Sequence, residues 1–153
     1  MLSEMLPACP RCGAYLSSGE SCRDRFDLCL ALEYENPTTY GTVHHLTVAC
    51  YMLQHNDYSR SGWLEARQML AEFIQQGITP ADVRKRNHSK LDSRNRKWSV
   101  SKGAKLSEVE AIVWSGTVGD VRLDEPENYC ADIKLWATTV LADTTTFMQE
   151  MDL

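Results

Sequence analysis

The sequence predicts an all-α protein, a compact bundle of about five helices with a zinc-binding loop at its N-terminus. Apolar residues recur at helical spacing in several segments, and capping residues mark where those segments begin and end. A Cys-x-x-Cys pair precedes the first of them. With 153 residues, 43% of them hydrophobic, the chain can bury one core, so residues 1–153 are expected to form a single domain.

The first two helices are predicted from their apolar patterns and their ends. Ser21 and Asp24 have the spacing of a capping box, so a helix is expected from Cys22 to Glu35. A second helix is expected from Thr42 to His55. Its apolar residues cover much of its circumference, which predicts a central position in the fold.

Three more helices complete the predicted bundle. One runs from Gly62 to Gln76 and is closed by Gly77. Thr79 and Pro80 have the N-cap and first-turn pattern of a short helix that leads into a basic segment. The longest helix is expected to begin at Pro126.

The run CPRCG at residues 9–13 is the local pattern with the most specific chemical meaning, and it belongs to a predicted metal-binding segment at residues 7–22. Two cysteines separated by two residues can reach one zinc ion when the chain between them makes a tight turn. Gly13 lets the chain leave that turn with a positive φ. Cys9 and Cys12 are therefore predicted as metal ligands.

Cys22 is predicted as the third ligand. It follows the N-cap Ser21, and a helix N-terminus favours the thiolate form because of the macrodipole and the free N–H groups. Cys29 lies on nearly the same face but about 10 Å further along the helix, too far to share the ion. We therefore assign Cys29 to the core.

The fourth ligand is open among His44, His45 and His55. His44 and His55 cannot share an ion on an unbroken helix, because they are about 16 Å apart. A Cys3His zinc site carries a net charge of about −1, which two converging helix N-termini would stabilise. This argument favours His44 or His45, both in the first turn of the second helix. Four protein ligands for one zinc per chain would make the site structural.

A pocket is a second candidate site. Tyr51 and His55 lie four residues apart on one helix face, so they can line the same surface. Glu33 lies near the C-terminal end of its helix, where the macrodipole disfavours a carboxylate, so it is a candidate for an acid–base role. The alternatives are that His55 caps the end of its helix and that Glu33 is exposed to solvent.

Residues 84–105 form a basic segment. Nine Lys or Arg and one acid, Asp92, give it a charge of +8. Because the whole chain has a net charge of −5, the remaining residues together carry −13. This pattern favours a nucleic acid or another polyanion as partner. A solvated loop, or a face that pairs with the acidic remainder, is the alternative. The candidate anion-binding residues are Arg84, Lys85, Arg86, Arg94, Arg96 and Lys97.

Several function classes lack any motif in this chain. No stretch approaches the roughly 20 apolar residues of a membrane span, and the first residues do not have the pattern of a signal peptide. A cytoplasmic protein with six reduced cysteines is therefore expected. There is no Gly-rich phosphate loop, GxSxG or HExxH, so nucleotide-binding, serine-hydrolase and metalloprotease functions have no support.

The order of motifs resembles an uncharacterised bacterial family of small proteins. The resemblance is carried by CPRCG at residues 9–13, VHHLTV at 43–48, YMLQH at 51–55, GTVGDV at 116–121, and Trp136-Ala137. It implies that His44, rather than His45, is the histidine that the family motif has at this point. It also implies that Tyr51, Gln54 and His55 form a common surface. Because the family has no established activity, the resemblance implies a fold and a metal site only.

Two functions remain in competition at this level. The first is a zinc-binding helical protein, a binding or adaptor module whose structural ion is held by Cys9, Cys12, Cys22 and His44. The alternative is a metal-dependent enzyme with an open zinc position, with Tyr51 and His55 in a pocket beside the ion. We favour the binding module.

Overall fold

The computed structural model describes residues 8–16, 19–88 and 103–153, and within these ranges it contains no β-strand. The five helices of this part of the chain are α1 (Cys22–Glu35), α2 (His44–His55), α3 (Arg60–Gln75), α4 (Pro80–His88) and α5 (Pro126–Glu150). Short 3₁₀ turns lie at Tyr40–Val43, Ser107–Ala111 and Val118–Asp120. The predicted all-α class is confirmed.

The predicted capping residues are found at the helix ends. At α1, the Asp24 backbone N–H donates to Ser21 Oγ and the Ser21 N–H donates to an Asp24 carboxylate oxygen, each at 3.1 Å. Thr79 and Asp82 make the same reciprocal pair before α4. Because such caps satisfy backbone N–H groups that the helix leaves free, they fix where each helix begins.

Helix α2 is the centre of the fold, as its apolar circumference predicted. It packs against α1, α3 and α5, and α3 packs against α5 on its other side. Trp63 of α3 is fully buried and its indole N–H donates to the backbone carbonyl of Leu53 at 3.1 Å. The apolar stripe of α5 belongs to the core and is buried at Tyr129, Ile133 and Val140.

Helices α1 and α2 run antiparallel. The start of α1 lies beside the end of α2, where Cys22 approaches His55, and the end of α1 lies beside the start of α2, where Glu33 approaches His44. The connection turns tightly at Gly41, where a Cβ would lie 2.8 Å from the backbone oxygen of Glu33. Glycine is therefore required for this close approach.

Among the residues described, the helices are all too short or too polar to traverse a lipid bilayer. For Lys97–Ser101 the sequence favours a strand or an extended loop, and this segment falls outside the described ranges.

Candidate metal centre

Three cysteines and one histidine come together at the junction of the N-terminal loop, the start of α1 and the end of α2. Cys9, Cys12, Cys22 and His55 each offer one ligand atom, and these atoms all lie within 4.8 Å of one another. His55 Nε2 lies 3.3 Å from Cys22 Sγ and 3.7 Å from Cys9 Sγ. Tetrahedral zinc with ordinary Zn–S and Zn–N bonds separates sulfur from nitrogen by about 3.6 Å. The cluster could hold a metal ion.

The loop that carries Cys9 and Cys12 is a tight, hydrogen-bonded turn. The Gly13 N–H donates to the Cys9 carbonyl and the Cys9 N–H donates to the Ala14 carbonyl, both at 2.9 Å. The Ala14 N–H approaches Cys12 Sγ at 3.4 Å. Gly13 has φ +82°, as the glycine after the second cysteine predicted. This backbone turns both thiols toward the same point.

Cys22 is the first residue of α1, immediately after its N-cap Ser21. Its sulfur therefore lies at the positive end of the helix dipole, where a thiolate is stabilised. The sequence prediction placed Cys22 at this position, and the structure brings it to Cys9 and Cys12.

His55 is held in the tautomer that a metal ligand needs. Its Nδ1 lies 2.8 Å from the backbone carbonyl of Tyr51, and since a carbonyl only accepts, Nδ1 carries the proton and donates it. Nε2 then has its lone pair free toward the sulfurs. The Tyr51 ring is stacked between the rings of Phe26 and His55, with centroid distances of 3.8 and 3.9 Å. These contacts fix the plane of the imidazole.

Arg11 closes the outer side of the cluster. In the sequence it lies between the two loop cysteines. One of its guanidinium N–H groups donates to the His55 backbone carbonyl at 2.6 Å. The guanidinium also lies 3.7 Å from a carboxylate oxygen of Asp57 and 3.8 Å from one of Glu110. The loop is thus attached to the end of α2 by a side chain as well as by the ligand set.

The thiols of the cluster differ in how readily they ionise without a cation. Burial raises the pKa of Cys12 and of Cys22. Burial acts in the same direction at Cys9, but hydrogen bonds from the backbone N–H groups of Cys12 and Arg11 and from the two neighbouring thiols lower its pKa to about 6. A divalent cation would stabilise all three as thiolates, because it supplies the charge that burial withholds.

The expectation that His44 or His45 provides the fourth ligand is corrected. His55 lies in the cluster, whereas His44 Nδ1 is 2.8 Å from a carboxylate oxygen of Glu33 at the other end of the helix pair. His45 packs edge-on against Phe73, with ring centroids 4.6 Å apart. The reason is the antiparallel packing of α1 and α2, which places the start of the first helix beside the end of the second.

The predicted common surface of Tyr51, Gln54 and His55 is not a surface. Their exposed fractions are 5%, 2% and 7%, so all three side chains are interior. Gln54 turns away from the cluster, and its amide donates to the Gly116 carbonyl at 2.7 Å. Glu33, placed in the same candidate pocket, lies instead with His44.

The structure describes only the two ends of the basic segment. Arg84 and Lys85 are exposed on α4, and Arg86 forms two hydrogen bonds with the Glu72 carboxylate at 2.9 and 3.0 Å. The other three candidate anion-binding residues, Arg94, Arg96 and Lys97, lie outside the described ranges. The polyanion partner stays a prediction.

Comparison with known proteins places the chain in a family. No curated protein and no solved structure matches it. The model of one family, described as a family of unknown function (DUF5946), matches residues 7–145, which include all four cluster residues and helices α1 to α4. Because this match covers most of the chain, the protein belongs to the DUF5946 family, whose function is not known.

Proposed function

We propose that this is a zinc-binding protein in which one structural ion, held by Cys9, Cys12, Cys22 and His55, fastens the N-terminal loop to the ends of α1 and α2. The observation that carries the proposal is the convergence of four ligand atoms from three separate elements within 4.8 Å. The Nδ1–H bond from His55 to the Tyr51 carbonyl, which directs Nε2 inward, supports the proposal as well.

The ligand set favours zinc. Three thiolates and one imidazole are soft to borderline donors, and a tetrahedral S3N arrangement is typical of structural zinc. Hard cations such as magnesium and calcium prefer oxygen donors, of which this set has none. A reducing compartment, such as the cytoplasm, would keep the thiols available for the ion.

Closure of the site supports a structural rather than a catalytic role. Four protein ligands fill a tetrahedral zinc and leave no position for water or substrate. Cys12 and His55 are buried as well. We therefore infer that this protein acts by binding a partner rather than by chemistry at the ion, with zinc fastening the N-terminal loop to α1 and α2.

Thiol protection tests the proposal site by site. Cys9, Cys22 and Cys130 are all partly exposed, but Cys130 lies outside the cluster and contacts Thr39 and Thr42. In zinc-loaded protein, iodoacetamide is expected to modify Cys130 while Cys9 and Cys22 stay unmodified. A chelator should make Cys9 and Cys22 reactive and leave Cys130 unchanged, as read by mass spectrometry of the peptides. Equal reactivity of all three with zinc present would contradict the proposal.

A further inference from the structure

A buried carboxylate lies at the opposite end of the α1–α2 pair from the cysteine cluster. Glu33 is 3% exposed, and both of its oxygens have partners. Oε2 accepts hydrogen bonds from the Tyr129 hydroxyl at 2.6 Å and from Thr47 Oγ1 at 2.5 Å, and Oε1 lies 2.8 Å from His44 Nδ1. The carboxylate of α1 thus has partners from two other helices, α2 and α5.

Stability alone does not explain this group. Burying the Glu33 carboxylate costs hydration free energy that its hydrogen bonds offset only in part, so apolar packing of similar volume would stabilise the fold at least as well. The C-terminal end of α1 adds an unfavourable dipole interaction for Glu33. Burial and the bond to Glu33 raise the pKa of Tyr129, so its hydroxyl remains protonated and donates to the carboxylate. The cluster holds Glu33 in one fixed orientation.

His44 connects this buried carboxylate with the surface. The Glu33 side chain is 2% exposed, but the His44 side chain is 58% exposed. With Nδ1 directed at the carboxylate, the solvent-facing part of the ring carries Nε2. A carboxylate that accepts from Nδ1–H keeps the proton on that nitrogen and leaves the Nε2 lone pair available as a base.

A concavity adjoins this histidine. It has a volume of about 560 Å³ and is bordered by Leu30, Tyr34, Pro37 and Gly41 together with Glu33 and His44. This volume is in the range of small-molecule sites, and the concavity is open to solvent on one side. The ionisable groups of its wall are Glu33, His44 and the phenol of Tyr34. The rest of the wall is apolar side chain and backbone.

We propose that His44 and Glu33 form a proton-abstracting site for a small, uncharged and largely apolar ligand bound in this concavity. His44 is the catalytic base and Glu33 is a positioning residue. A proton bound to ligand carbon moves to His44 Nε2, and the electron pair of the broken C–H bond passes into the ligand, where a bond to an electronegative atom breaks. The imidazolium is then paired with Glu33 until its proton returns to water.

A nitrobenzisoxazole tests this step without knowledge of the natural ligand. Removal of its ring C–H proton by a base breaks the N–O bond and gives a coloured cyanonitrophenolate, so no other catalytic group is needed. The zinc-loaded full chain is expected to convert it faster than free imidazole at the same concentration. His44→Ala should lower kcat about 100-fold, and added imidazole should restore part of the rate.

Two further variants separate catalysis from structure. Glu33→Gln keeps the shape but removes the charge, and is expected to lower kcat about tenfold with KM unchanged. His45→Ala is the matched control, because His45 faces Phe73 and is not part of the wall of this concavity, so wild-type activity is expected. An unchanged rate in His44→Ala, or a wild-type rate no higher than that of free imidazole, would overturn the proposal.

Discussion

Replacing Cys12 by serine is expected to lower the melting temperature by about 10 °C and to make it independent of zinc. Cys12 is buried in the core and belongs to the ligand cluster, so the substitution removes one of four metal bonds. A ligand present at 1,000 times its Kd stabilises the folded state by about 4 kcal/mol. In a chain of this size, 1 kcal/mol corresponds to about 2–4 °C.

The comparison needs a control for burying a hydroxyl group, which itself costs about 1–3 kcal/mol. Cys50→Ser makes the same change at a fully buried cysteine outside the cluster. Thermal unfolding with and without a chelator should show wild type and Cys50→Ser losing stability to the chelator, while Cys12→Ser does not respond. If the chelator destabilised none of the three proteins, the ion would have no role in folding.

Trp63→Ala is expected to destabilise the fold by about 3–5 kcal/mol while leaving metal content unchanged. The indole is fully buried between α2 and α5, where it donates to Leu53 and packs edge-on against Phe147 with ring centroids 5.6 Å apart. Its removal leaves a large cavity and an unsatisfied carbonyl. The free energy of unfolding in urea measures the effect.

Leu64→Ala is the matched control for Trp63→Ala. Leu64 is the next residue on α3 and is only partly buried, so its truncation should cost considerably less. If the two variants had similar free energies of unfolding, the burial of Trp63 would not be the main contribution of α3 to stability. Together with the cysteine variants, this pair separates core packing from the contribution of the metal.

The helices were predictable because their signals are local. The capping pair of Ser21 and Asp24, the Thr79-Pro80 start and the Pro126 start all lie at observed helix ends. Each depends on residues within one turn, whose hydrogen bonds do not need the rest of the fold. The Thr42 start was two residues early, because Tyr40–Val43 forms a 3₁₀ turn before α2.

The fourth member of the cysteine cluster was not predictable from helix ends alone. The dipole argument favoured His44 or His45, but which histidine comes close to Cys22 is decided by how α1 packs against α2. Consecutive helices with a short connection tend to pack antiparallel, and this rule would have placed His55 beside Cys22. The same packing places Glu33 beside His44, a pairing for which the spacing along the chain gives no signal.

The metal content of protein purified without a His-tag or chelator tests the central claim most directly. Elemental analysis is expected to find about one zinc per chain in wild type and in Cys130→Ser, and close to none in Cys12→Ser. Cys130 lies outside the cluster, so its variant shows what the loss of an unrelated thiol does. Absence of metal from wild type, with Cys9 and Cys22 as reactive as Cys130, would contradict the account.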